Sequence, residues 1–353
     1  METSQQNYVF SKHSESNVQI PFKMKTILPV SLAITLSFLL PAHGQERGTL
    51  TFTKTIPLPE VTGGFNHMSA DAEHHRLFAT GTTKKTLEII DVKSGKHLRS
   101  LTGESPAATM FAPEFNQLYV TRGHSVCIYD GSTFDLLTNI DLHSSLDELE
   151  FDPYAKRLYV GCMTSNMTAI AIVSLPDGKP KGEIKLPAKP QGFAVEKKGN
   201  RIFANMPSLK QIAVLDREKQ TLLETWPLKD VSGNYPMALD EVNHRLFVGC
   251  RRPAQLVVFD TATGKLVASV AISGDTDDLS YDAKAKRIYI ACGEGSVNVI
   301  EQRDADHYQL AEQISVPPGS RNSFFSTDLN QFYLAVPQRG NQDAEIRVFQ
   351  PQK

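Results

Sequence analysis

One short signature recurs seven times along the chain: a polar residue, usually Arg, followed by an aliphatic or aromatic pair. It reads Arg76-Leu77-Phe78, Gln117-Leu118-Tyr119, Arg157-Leu158-Tyr159, Arg201-Ile202-Phe203, Arg245-Leu246-Phe247, Arg287-Ile288-Tyr289 and Gln331-Phe332-Tyr333. Successive spacings are 41, 40, 44, 44, 42 and 44 residues. A period in the low forties, built from short alternating segments, is what one four-stranded propeller blade requires. Residues 45–353 hold seven such periods. The expected fold is therefore all-β, a single seven-bladed β-propeller of four-stranded antiparallel blades.

The fifth repeat displays the internal order. Met237-Ala238-Leu239 is an inner strand, Asp240 to His244 a turn, and Arg245 to Cys250 a second strand. Leu256 to Asp260 alternates as a third strand, Thr263-Gly264-Lys265 turns, and Leu266 to Ile272 returns as a fourth. The last repeat runs out after its third strand, Glu345 to Phe349, whereas a spare alternating segment, Leu50 to Ile56, precedes the first. Pairing these two removes two exposed sheet edges, so the N-terminal strand is expected to close the ring.

Upstream of that strand, Ile27 to Leu40 is an apolar run of 14 residues, preceded by Met24-Lys25 and followed by Ala42-His43-Gly44. This pattern predicts a secretory signal peptide cleaved after Gly44, with Met24 as the start, and it is too short for a spanning helix. Residues 1–44 are thus read as an extension plus leader, and the mature protein as periplasmic or secreted, monomeric, with no membrane span. An uncleaved anchor is the competing reading. The mature chain carries 34 basic against 37 acidic residues, a net charge of −3. That balance disfavours a general nucleic-acid binder, which needs a basic excess or stripe. A lysine-rich run from Lys179 to Lys198 gives blades three and four a basic side, read as a solvated face. A single tryptophan, Trp226, gives little with which to stack sugars.

Arg157-Leu158-Tyr159-Val160-Gly161 and Arg245-Leu246-Phe247-Val248-Gly249, together with the turn Asp260-Thr261-Ala262-Thr263-Gly264-Lys265, resemble the repeat of YVTN-repeat, or YncE-like, seven-bladed propellers. Ser174 and Glu301 depart from the Asp that this pattern favours before the turn. The resemblance covers nearly all of the mature chain and implies the fold and a bacterial secreted or periplasmic setting. Its function is open, because such propellers include binding scaffolds, DNA-binding proteins and relatives of redox and lactone-cleaving enzymes.

Inner strands of a propeller begin around the axis on one face, where ligands gather. Nine positions before each signature stand His67, Ala108, Glu148, Gly192, Pro236, Asp278 and Asn322, and one position earlier Asn66, Ala107, Asp147, Gln191, Tyr235, Asp277 and Arg321. The next ring inward is mostly apolar: Met68, Thr109, Leu149, Phe193, Met237, Leu279 and Ser323. Polarity peaks at the rim, and the innermost of these rings is expected to pack between blades. His67, Glu148 and Asp278 come from blades one, three and six and can face a common centre. An imidazole with two carboxylates can hold Zn²⁺, and the carboxylates with Asn322 can hold Ca²⁺. Alternatively Asn66, Asp147, Tyr235, Asp277, Arg321 and Asn322 line a pocket for a polar or cationic small molecule, or the acids merely build solvated turns.

Cys162, Cys250 and Cys292 each fall five residues after a signature, at second-strand exits on that same face. Face-packed sheets lie about 10 Å apart, too far for a disulfide, so free thiols are expected. Cys127 reads as core. No covalent-haem, zinc-protease, nucleophile-elbow or phosphate-loop motif is present. The leading expectation is a binding or interaction module for a small molecule or protein at the axial face. The alternatives are a metal-assisted, lactonase-like hydrolase or lyase using His67, Glu148 and Asp278, and a DNA-binding propeller.

Overall fold

Seven four-stranded antiparallel sheets make up the ring in the computed structural model, which describes residues 48–352 together with Gln19, Pro21 and Phe22. The chain divides into two compact units, Met1–Glu46 and Arg47–Lys353, and the propeller is the second. The expected leader, Ile27 to Leu40 with cleavage after Gly44, lies outside the described residues. Among the described residues, no helix is long and apolar enough to cross a membrane.

The inner strands are Phe65–Asp71, Pro106–Ala112, Ser145–Asp152, Phe193–Val195, Ser232–Asp240, Thr276–Asp282 and Asn322–Ser326. Every second strand starts at the signature residue: Arg76, Gln117, Arg157, Arg201, Arg245, Arg287 and Gln331. The reason for the signature lies two positions later. Phe78, Tyr119, Tyr159, Phe203, Phe247, Tyr289 and Tyr333 are each fully buried. The aliphatic or aromatic residue before each one, Leu77 to Phe332 around the ring, is fully buried as well. A second strand therefore packs on both faces, one blade on either side, and cannot alternate with polar residues. Each large ring removed from water contributes on the order of 1.5–3 kcal/mol.

The turns follow from the same repeat. In six blades the residue before the signature adopts a left-handed conformation: His75, Asn116, Lys156, His244, Lys286 and Asn330. An Asp at the end of the inner strand pays part of that strain by accepting turn amides: Asp152 Oδ1 takes Tyr154 N at 2.9 Å, and Asp282 Oδ1 takes Lys284 N at 3.0 Å. Between third and fourth strands, Asp91, Asp130, Asp216 and Asp260 repeat the device. The two departures are compensated locally. Ser174 Oγ donates to Asp177 at 2.6 Å, and in blade six Asp304, three residues beyond Glu301, accepts the amides of Asp306 and His307.

The closing strand spans Leu50–Leu58 and pairs antiparallel with Ala344–Pro351, with Ile56 opposite Ile346. Blade seven therefore takes its outer strand from the start of the chain, as the repeat arithmetic requires. Ile56 and Leu58 point into a cluster with Leu77, Ile90, Ile346 and Val348 that joins blades seven and one.

Candidate functional site

Five of the seven inner strands are bulged where their rim residues stand. Pairing with the second strand skips between Phe65 and Met68, Pro106 and Thr109, Leu146 and Leu149, Asn234 and Met237, and Thr276 and Asp278. A bulge breaks strict in–out alternation and re-aims side chains. It also leaves backbone groups to be satisfied by the neighbouring strands. Thr80 Oγ1 donates to the His67 carbonyl at 3.0 Å, Thr121 Oγ1 to the Asp147 carbonyl at 3.0 Å, and Asn205 Nδ2 to the Tyr235 carbonyl at 3.0 Å. These three side chains occupy the same position in their repeats, four residues after the signature. In blade five that position is Gly249, where a Cβ would meet Pro236 Cγ at 2.8 Å.

His67, Glu148 and Asp278, from three different blades, come together. His67 Nδ1 lies 2.8 Å from Asp278 Oδ1, and His67 Nε2 lies 3.8 Å from Glu148 Oε2. Asp278 Oδ2 accepts the Ser323 amide at 2.8 Å and Asn322 Nδ2 at 3.3 Å. The imidazole is thus anchored through Nδ1 and presents Nε2 to the channel. The donor atoms pair with one another, and among the described residues no group of three or more His, Cys, Asp or Glu is placed to hold a metal ion.

Above this point sits a cavity of about 240 Å³, bordered among others by Asn66, Asp147, Gln191, Tyr235, Asp277 and Arg321. Its acids are matched by cations. Asp147 Oδ2 pairs with Lys189 at 2.6 Å, Asp277 Oδ1 with Arg251 at 2.7 Å, and Asp277 Oδ2 lies 3.4 Å from Arg321. Asp275 lies 3.4 Å from Arg251 and 3.3 Å from Arg321. The Arg251 guanidinium also stacks on the Tyr235 ring at 3.9 Å, so one side chain ties blade five to blade six and braces the aromatic wall. Asn322 Nδ2 bridges Asp277 and Asp278 at 3.3 Å each.

Enclosure and charge crowding displace the titrations. Burial works against the His67 imidazolium, but Glu148, Asp278 and Asp277 outweigh it and hold the ring well above the usual histidine range. Burial, aided by Asp278, Asp147 and Glu150, pushes Glu148 up to about 8 in spite of His67. Asp277 is also raised, by burial and by Asp278, with Arg251 and Arg321 opposing. The site therefore offers an oriented imidazole, a carboxyl that holds its proton near neutrality, and fixed charges of both signs. Such a set can bind polar groups and exchange protons with them.

All nine residues singled out in the sequence lie at this end of the channel. Three partners were not foreseen: Lys189, Arg251 and Asp275. Lys189 belongs to the lysine run read as a solvated face and is instead committed to Asp147. Arg251 lies within the second strand of blade five, Arg245–Arg252, which runs two residues beyond the exit expected at Cys250, and Cys250 was the only signal pointing there. The ring Met68, Leu149, Met237, Leu279 packs between blades as expected, but it also forms the wall of a second cavity further along the axis. Cys127, Cys162, Cys250 and Cys292 are free and buried, and burial pushes the Cys250 and Cys292 thiols up to about 12.

No protein-family model matches the chain. It is 23% identical to the uncharacterized protein YncE of Salmonella typhi over 157 residues, 44% of this chain and 43% of that protein. The YncE of Salmonella typhimurium is 22% identical over 156 residues, with the same coverage. The alignments thus span less than half the length of these curated relatives. Among solved structures, a chain of Kuenenia stuttgartiensis hydrazine synthase aligns with a TM-score of 0.69 at 16% identity, covering 78% of this chain and 93% of its own. A chain of the mitotic checkpoint complex aligns with a TM-score of 0.73 at 14% identity, covering 97% and 99%. At these identities the two structures speak for the fold alone. The repeat signature and the seven sheets make the chain a seven-bladed β-propeller, and over part of its length it is similar to YncE.

Proposed function

We propose that this propeller is a binding module whose ligand, a small polar molecule or the polar tip of a protein partner, enters the axis on the face where the inner strands start. The observation that supports the reading most is the bulged rim, which gathers His67, Glu148 and Asp278 from three blades below a cavity of about 240 Å³ bordered by Asp147, Asp277 and Arg321, with Arg251 paired to Asp277. Fixed charges of both signs favour a ligand carrying complementary groups of both signs. The ligand would be met outside the cytoplasm, as the expected leader implies, by a monomeric mature protein.

A hydrolase or lyase is the second reading, favoured by the anchored imidazole with Nε2 turned to the channel. In its metal-assisted form His67 must exchange its bond to Asp278 for a metal such as Zn²⁺. A DNA-binding role would place phosphates against a rim in which each cation already has an acidic partner.

The test is a thermal-shift and ligand-observed NMR screen of polar small molecules against residues 45–353, repeated with Asp277→Asn and Arg321→Gln. Hits weakened by both variants support the axial reading. Hits unaffected by either overturn it. Stoichiometric metal in native-purified protein, lost in His67→Ala, would favour the metal-assisted hydrolase. Steeply salt-dependent binding to DNA would favour the third reading.

A further inference from the structure

A third cavity, of about 630 Å³, opens on the flank of the ring between blades four and five and shares no wall residue with the two axial cavities. It lies where the outer strand of blade four, Thr221–Pro227, hands over to the inner strand of blade five, Ser232–Asp240. The connection between them supplies one wall, and the third and fourth strands of blade five, Ala254–Asp260 and Leu266–Ala271, supply the other. Leu228, Val231, Val257 and Phe259 are buried and form an apolar floor, and Leu266, 55% exposed, forms a lip. Behind this floor the chain's single tryptophan, Trp226, stacks on Phe259 with ring centroids 6.1 Å apart. The Gly264 turn covers the indole so closely that a Cβ there would meet Nε1 at 2.5 Å. A mostly apolar concavity with a few polar groups is the usual form of a small-molecule site.

The polar groups on this cavity are mainly donors. Lys229 and Lys265 border it and make no ion pair among the described residues. Gln255 Oε1 accepts from Ser269 Oγ at 2.7 Å, which engages the acceptor of the amide and leaves its Nε2 donors open. The lysines are exposed and Gln255 is half-buried, so these donors stay accessible. Trp226 Nε1, beside Gly264, also has no acceptor among the described residues. Asp230 is the one acid on the wall, so two cations stand against one carboxylate and the mouth is net positive. An apolar floor below a positive, donor-rich mouth is complementary to an anion with an apolar body.

We propose that the flank cavity binds a small carboxylate with an apolar chain, of the fatty-acid type. Lys229 and Lys265 hold its head at the mouth with Gln255 Nε2 as donor, and its chain lies over Leu228, Val231, Val257 and Phe259. Burying such a chain contributes about 0.8 kcal/mol per methylene removed from water. The site is separate from the axial cavity proposed above and stands or falls without it.

The probe is octanoate, compared with 1-octanol and octylammonium at about pH 7, where the acid and the amine are both ionised. Binding is read by calorimetry and by tryptophan emission, which reports on this cavity because Trp226 is the only tryptophan. Octanoate is expected to bind at least about fivefold tighter than octanol, and octylammonium more weakly than either. Both octanoate and octanol alter the emission of Trp226, and the preference for octanoate shrinks as salt rises. Lys229→Gln combined with Lys265→Gln removes that preference and keeps octanol binding; both positions are exposed, and a thermal melt of the free variant reports its fold. Equal affinity for octanoate and octanol, tighter binding of octylammonium, or no binding at millimolar concentration overturns the proposal. So does binding that leaves Trp226 emission unchanged, or a preference retained in the double variant.

Discussion

Replacing Glu148 with Gln removes one displaced titration from the site, and the sign of the effect on stability follows from that displacement. In the folded chain the carboxyl is raised to about 8 from an ordinary value of 4.5. The native state therefore keeps a proton that the unfolded chain has released. The resulting stabilisation is present below about pH 4.5 and is lost as the pH rises through about 8. Between these values stability falls by at most about 1.4 kcal/mol per pH unit. Over about pH 5 to 7.5 that limit is about 3 kcal/mol. The side chain keeps 24% of its exposure, into channel water, and screening lowers the expected loss to about 1–2 kcal/mol. With an unfolding entropy of about 0.6 kcal/mol/K for about 300 residues, the midpoint falls by about 2–3 °C across that range. Glu148→Gln has no proton to lose and flattens this slope. His67, Asp277 and Glu150 are raised as well and slope in the same direction, so the effect of Glu148 is read as the difference between the two profiles, whereas Asp91, Asp130 and Asp216, held low by turn amides, act at more acid pH. Calorimetric scans at about half-unit pH steps, with exposed Glu224→Gln as control, measure the effect. Parallel profiles for wild type and Glu148→Gln between about pH 5 and 7.5 refute the reasoning.

Other perturbations probe the frame around the site. Ile56→Ala in the closing strand, fully buried opposite Ile346, should cost about 3 kcal/mol, or about 5 °C, whereas the exposed neighbour Thr55→Ala should cost less than about 0.5 kcal/mol; equal effects in thermal melts argue against closure by this strand. Gly249→Ala places a methyl 2.8 Å from Pro236 Cγ and 3.0 Å from Thr276 Cγ2, so a loss of about 1–3 kcal/mol is expected by the same assay. The four thiols should resist a disulfide reagent in the native protein and all react on denaturation, because they are buried and none is bonded; fast native reaction of Cys250 or Cys292 contradicts their packing.

The blade boundaries were readable because a doubly buried second strand tolerates little but a large ring beside an aliphatic, and that demand repeats at Phe78, Tyr119, Tyr159 and their equivalents. The missing strand was readable for the same reason, since a blade one strand short must be completed by Leu50–Leu58. The rim was readable in part. His67, Glu148 and Asp278 stand at equivalent positions in different repeats, so aligning the repeats places them on one ring. The alignment could not give the bulges, which depend on hydrogen bonds from Thr80, Thr121 and Asn205, residue types that are also common on strands for packing. Nor could it give Arg251 and Lys189, whose long side chains cross between blades from positions where the other repeats carry no Lys or Arg. The apolar ring beneath the rim read as packing between blades, and the volume it encloses at the axis became visible only with the radius of the ring.

The account's central claim is that side chains from blades one, three and six form a single charge-coupled site at the axis. Its most direct test is a ¹H–¹⁵N titration of the His67 imidazole by NMR in wild type, Asp278→Asn and Glu148→Gln. The structure predicts that His67 remains protonated well above the usual histidine range, and that each variant brings it back toward that range, Asp278→Asn also removing the bond that fixes Nδ1. A His67 that titrates in the usual histidine range, and that neither variant moves, would contradict it.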